Sequence, residues 1–325
     1  MHPAFSVIFL TTLIGVGQGL FLALFTGQSY SALELLPIQD STQFYGNGAI
    51  IAFVFLIGGL VASFFHLGRP ERAWRAASQW RTSWLSREVI ALPILMFFIF
   101  VYGAMQYFAW DETLFTSDTG VTLQLSLVVA TLGMLATFAL FICTGMIYAC
   151  LKFLQEWHTP LTVINYTLLG TASGFFLATA FAHHSAPELM RFYAIWSTIL
   201  IVSALFTRVA SLIRNSRIKP KSTLQTALGV RHNKIQQKAM GFMGGSANTR
   251  DFFHHATLQF MKNMKWIFLV LVFPVPIALL WIGVSGNSFG LLIAAFIVQY
   301  IGLIAERWFF FAQANHPQNL YYQTV

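Results

Sequence analysis

Apolar residues fall in long, nearly unbroken runs along this chain, not in the alternating or four-residue patterns of water-soluble elements. Eight runs reach the roughly 20 residues that a helix needs to cross a bilayer: Phe5–Phe25, Asn47–Phe65, Arg87–Phe108, Val121–Ile142, Val163–Ala182, Phe192–Ile213, Lys265–Val284 and Phe289–Phe309. Arg208 interrupts the sixth and is expected to snorkel to the membrane surface. Pro274 and Pro276 interrupt the seventh and predict a bend, tolerable where neighbouring helices take up the freed carbonyls. The first run has no basic segment ahead of it, so it is predicted to be a retained span and not a cleaved leader. The pattern predicts an all-α polytopic integral membrane protein. Residues 1–325 would form a single eight-helix membrane domain with a long basic loop at 214–264.

Composition agrees. Hydrophobic residues make up 57% of the 325 and charged residues 9%, too little charge to cover a water-facing surface. The 33 phenylalanines suit a lipid-facing exterior. The net charge of +8 is distributed by side. With eight helices, the termini and the loops after helices 2, 4 and 6 share one face, which takes every one of the 19 Lys and Arg residues except Arg191. The other face has Glu34, Asp40, Asp111, Glu112, Asp118 and Glu188. By the positive-inside rule both termini and the basic loops are expected in the cytoplasm. Within the 214–264 loop, Phe253, Ala256, Phe260 and Met264 share one helical face and predict a short helix on the membrane surface. Cys143 and Cys150 would stand about 10 Å apart on one helix, beyond disulfide reach, and are read as packing residues.

Protonatable groups beside apolar spans are costly and often functional. His66 ends helix 2, and Glu88 follows Ser86 and Arg87 at the start of helix 3, so the two are expected at one membrane face on adjacent helices. A base and an acid at that depth are suited to exchanging protons with a quinone headgroup. Plainer roles stand beside this one: His66 as a cation at a helix C-terminus, and Glu88 as a first-turn carboxylate behind a Ser86 cap or paired with Arg72 or Arg75. Trp74, Trp80 and Trp84 read as interfacial anchors. Pro93 leaves the Val89 carbonyl without its helical partner. In helix 1, Gly15, Gly17 and Gly19 flank Gln18, which predicts close helix approach and either a cross-helix hydrogen bond or a cavity-lining amide. None of the nine histidines falls in mid-helix, so a haem core with two axial histidines is not expected. No metal-ligand spacing is seen.

The run His66-Leu67-Gly68-x-Pro70-x-Arg72-Ala73, followed by Leu85-Ser86-x-Glu88, resembles the anchor subunit of dimethyl sulfoxide reductase, and Gly17-Gln18 is similar to the family pattern in helix 1. The resemblance implies a haem-free eight-helix subunit. It would exchange electrons between a membrane quinone, ubiquinone or menaquinone, and an Fe–S subunit that is linked to a molybdopterin catalytic subunit. It also implies quinone-site roles for His66 and Glu88. Beside them, Arg72 is expected to help orient Glu88, and Gln18 is a further candidate for lining the site. Dimethyl sulfoxide reductases of this kind face the periplasm and keep the His-Leu-Gly loop on that side, whereas the charge bias here puts it in the cytoplasm. That inversion fits a related branch, the membrane subunit of a cytoplasm-facing sulfite dehydrogenase in the bacterial inner membrane. The alternatives are a quinol-oxidising anchor of the dimethyl sulfoxide reductase type, or a transporter or proton-channel subunit. A transporter should show paired broken helices and mid-membrane charges.

Overall fold

A computed structural model describes residues 1–116, 122–236, 254–317 and 319 of the chain. Its eight spans are span 1 (Phe5–Ala32), span 2 (Ser41–Phe64), span 3 (Trp84–Tyr107), span 4 (Leu125–Ala149), span 5 (Pro160–Ser185), span 6 (Pro187–Ser216), span 7 (Leu258–Ser285) and span 8 (Phe289–Ala312). The chain is an all-α multi-pass membrane protein, as its apolar runs predict. Among the described residues the only strands are a short antiparallel ribbon, Thr113–Thr116 with Thr122–Gln124, between spans 3 and 4. The Met1 amine donates to the Ala314 carbonyl at 2.8 Å, which ties the N-terminus to the end of span 8. That face also carries the connections after spans 2, 4 and 6, and is called the basic face below.

Spans 1 and 5 form the centre. Their most apolar windows are 78% and 72% buried, against 28–39% for the other six spans. The glycines of span 1 make this possible. A Cβ on Gly174 of span 5 would lie 2.0 Å from the Gly19 carbonyl carbon, and one on Gly17 would lie 2.7 Å from the Ala52 carbonyl oxygen of span 2. The backbones therefore touch directly, gaining dispersion where lipid supplies no hydrophobic drive. Polar groups tie these central spans to their other neighbours. Gln18 Nε2 donates to the Thr137 carbonyl of span 4 at 3.1 Å, Ser173 donates to Gln299 of span 8 at 2.7 Å, and Tyr193 donates to the Ala23 carbonyl at 3.0 Å. The phenylalanines divide: Phe97, Phe100 and Phe206 face outward, while Phe21, Phe44, Phe176 and Phe268 are fully enclosed.

Span 7 corrects one expectation and meets another. Thr257 caps it by accepting from the Phe260 amide at 3.2 Å, so Phe260 and Met264 belong to the span and not to a surface helix. Phe260 packs edge-on against Trp308 of span 8, with ring centroids 5.2 Å apart, which directs this segment against the bundle. Ala256 precedes the helix, and Phe253 lies outside the described residues. The predicted bend falls at Phe273, between helices Leu258–Val272 and Pro274–Ser285, because Pro274 has no N–H to continue the ladder.

Candidate functional site

Span 3 begins at Trp84, one turn earlier than expected. Its cap is Ser83, which accepts from the Ser86 amide at 3.4 Å; Ser86 is not the cap. Glu88 therefore lies beyond the first turn, and the helix-dipole reading of its carboxylate loses its footing. Arg87 turns outward. Its guanidinium donates to the Trp80 and Arg81 carbonyls at 2.9 and 2.8 Å and stacks over Trp84, 4.2 Å from the ring centroid. Glu88, the next residue, turns into the bundle, and its Oε1 accepts from Thr144 Oγ1 of span 4 at 2.5 Å.

There it lines an internal cavity of about 10 Å³ with Thr11 and Gln18 of span 1, Thr144, Tyr166 of span 5 and Arg307 of span 8. Ile14, Phe141 and Leu303 supply apolar walls, and Gly170 lets Phe141 and Gly15 pack close, since a Cβ there would lie 2.7 Å from Phe141 Cε1. The volume is enough for about one water molecule. The cavity lies toward the basic-face ends of spans 1, 3, 4, 5 and 8, with Gln18 deeper in the bundle.

Behind the cavity stands a buried ionic trio that the sequence reading missed. Arg208 was expected to snorkel. It is instead 1% exposed, with Nε 2.7 Å from Glu306 Oε1. The other Glu306 oxygen lies 3.1 Å from Arg307 Nη1, and the Arg307 guanidinium lies 3.7 Å from the Tyr166 ring centroid. Snorkelling fails because span 6 turns Arg208 toward span 8, where a carboxylate waits at the same depth. Arg307, assigned to the basic face, is likewise enclosed, at 3% exposure. An acid and a base inside two apolar runs were the signal for this pairing. Tyr166 and Thr144 gave no signal of their own, since such residues are common in membrane helices.

The structure brings Gln18 and Glu88 together and leaves His66 and Arg72 elsewhere. His66 follows the last turn of span 2, exposed, with its amide donating to the Ser63 carbonyl at 3.4 Å. Partial desolvation lowers its pKa below the ordinary histidine value. Arg72 sits on an exposed 3₁₀ segment, Pro70–Gln79. The carboxylate beside it is Glu71, at 3.8 Å, and not Glu88. The reason is local: Pro70 opens a tight helix that lies on the basic face and carries Arg72 outside the bundle. Cys143 is buried and Cys150 exposed, both as free thiols.

Comparison with known proteins agrees with this architecture. Residues 1–317 match the DMSO reductase anchor subunit (DmsC) family. The chain is also 55% identical to a sulfite dehydrogenase subunit of Allochromatium vinosum, over 325 residues that cover 100% of both chains. With eight spans, a motif at the span 2–span 3 connection and a match over nearly its full length, the chain belongs to the DMSO reductase anchor subunit family.

Proposed function

We propose that this subunit passes electrons from an Fe–S subunit to membrane quinone, in a complex whose molybdopterin subunit oxidises sulfite. Both termini would face the cytoplasm of the bacterial inner membrane. The observation that carries the reading is Glu88, a half-buried carboxyl group turned into the bundle, where it helps line a small cavity near the basic face. Reducing a quinone to a quinol takes two electrons and two protons. Electrons would come from the Fe–S partner, docked on the basic Arg69–Arg87 connection and the 214–264 loop. Protons would pass through Glu88. The full-length similarity to a sulfite dehydrogenase subunit supports the choice of sulfite over the quinol-oxidising alternative.

The cavity has room for water and not for a quinone ring, so Glu88 handles the proton while ring recognition falls to groups at the rim. His66 is the candidate there, kept neutral by its lowered pKa and able to donate to a quinone carbonyl. It follows Phe65, which helps line an apolar groove of about 350 Å³ between spans 1 and 2. Iron–sulfur and molybdopterin groups belong to the partners in this reading, which expects no haem in this subunit: each of the nine histidines lies in a connection or at the end of a span.

The test is Glu88→Gln in the assembled complex, which keeps the shape and removes the titrating group. Quinone-coupled turnover should fall on the order of 10²-fold, while sulfite oxidation with an artificial acceptor stays at the wild-type rate. Normal quinone turnover in both Glu88→Gln and His66→Ala would remove this site from consideration.

A further inference from the structure

We propose that Arg307 is the charge partner of Glu88 across the cavity, and that the Arg208–Glu306 pair holds it there. This deepens the quinone reading by naming the residue that sets when Glu88 takes and releases its proton. Both side chains line one cavity with room for about a single water, which puts a carboxyl and a guanidinium on the wall of the same small space. Arg307 is fixed in place from two sides: Glu306 lies 3.1 Å from Nη1, and the Tyr166 ring lies under the guanidinium plane.

Charge counting gives the arrangement its consequence. Arg208, Glu306 and Arg307 together carry one excess positive charge within the bundle. When Glu88 is ionised the four groups are neutral; when Glu88 is protonated the excess is uncompensated. A buried net charge is costly, so this background favours release of the Glu88 proton to an acceptor and opposes its idle retention. In the balanced step, the Glu88 carboxyl O–H breaks and its proton joins a quinone oxygen that has received an electron from the Fe–S partner. The carboxylate left behind is held by Arg307 and reloaded from the basic face. Glu88 and Arg307 are not alone in that setting. Thr144, Tyr148 and Cys143 face it from span 4, Tyr166 from span 5, and Arg87 adjoins it on span 3. Among these, only Arg307 is both enclosed and cationic on the cavity wall.

The test follows the protonation of Glu88 in the purified complex by its carboxylic C=O infrared band, assigned by its absence in Glu88→Gln, together with the pH profile of quinone turnover. Arg307→Gln should move the midpoint of both to higher pH by about 1–3 units, the range for losing an opposite charge at close range. Glu306→Gln removes the charge that offsets Arg307 and should move both midpoints the opposite way. Arg307→Lys keeps the charge and should stay near wild type. The direction alone is diagnostic, so either of the first two variants suffices if the other fails to assemble. Midpoints that do not move, that move the same way in Arg307→Gln and Glu306→Gln, or that move as far in Arg307→Lys as expected for Arg307→Gln, would overturn the assignment. The infrared midpoint needs no quinone. A shifted band without any quinone turnover in the wild-type complex would therefore uphold the pairing while rejecting the quinone reading.

Discussion

Gly174→Ala offers a sharp test of the packing that builds the cavity. The added methyl would sit 2.0 Å from the Gly19 carbonyl carbon, 2.0 Å from the Leu20 amide nitrogen and 2.4 Å from Gly19 Cα. Carbon atoms in contact stand about 3.5–4.0 Å apart, so spans 1 and 5 must separate by roughly 1.5 Å at this level. Every atom met is backbone, and no side chain can rotate away. Overpacking costs about 1–3 kcal/mol where neighbours can yield; here the expected loss is about 3 kcal/mol or failure to assemble. The control is the same substitution at Gly58, where the nearest atom is Leu13 Cδ1 at 3.6 Å, an ordinary contact. There alanine should be neutral or stabilising by up to about 1 kcal/mol, the helix-propensity gain. Heat a detergent extract of each variant and measure the surviving monodisperse fraction by size-exclusion chromatography. Gly174→Ala should lose it at a clearly lower temperature than wild type, and Gly58→Ala should not. Because Gly170, one turn away, lines the cavity beside Gln18, any assembled Gly174→Ala should also lose quinone turnover. Equal thermal survival of the two variants would refute the close backbone contact.

Other expectations rest on separate observations. Arg208→Met leaves Glu306 with Arg307 alone and should destabilise the subunit by about 3 kcal/mol, the lower end for breaking a buried ion pair, read as a drop in the thermal midpoint of the same extract. For His66, desolvation lowers the folded pKa, so the ring stays neutral through neutral pH and protonates only below the ordinary value of about 6.5. The stability this neutral form contributes is complete above that value and is lost as pH falls through the folded pKa. The KM for quinone should likewise rise on acidification in wild type and show no such limb in His66→Ala. Finally, a reporter fused at Asn233, in the connection from span 6 to span 7, should be active only as a cytoplasmic reporter; periplasmic activity would reverse the orientation and undercut the sulfite reading.

The amino-acid sequence by itself determined the number of spans, their order and the segregation of charge between the two faces. Each is a local property: twenty apolar residues must cross, and basic loops resist translocation, whatever the neighbours do. Gly17, Gly19 and Gln18 were legible as interface residues because small and amide side chains in a span have few other uses. Glu88 stood out because a carboxyl beside an apolar run is costly. What tertiary structure alone decided is which face of each span turns inward. It took Arg208 from the membrane surface to a buried carboxylate, put Arg307 and Tyr166 on the wall of one cavity with Glu88, and left His66 and Arg72 outside that cavity. In water, a helix announces its inner face by its apolar stripe. In a bilayer the surroundings are as apolar as the core, so lipid-facing and bundle-facing positions read alike along the chain. The partner of a buried polar group is then settled only by how the spans pack.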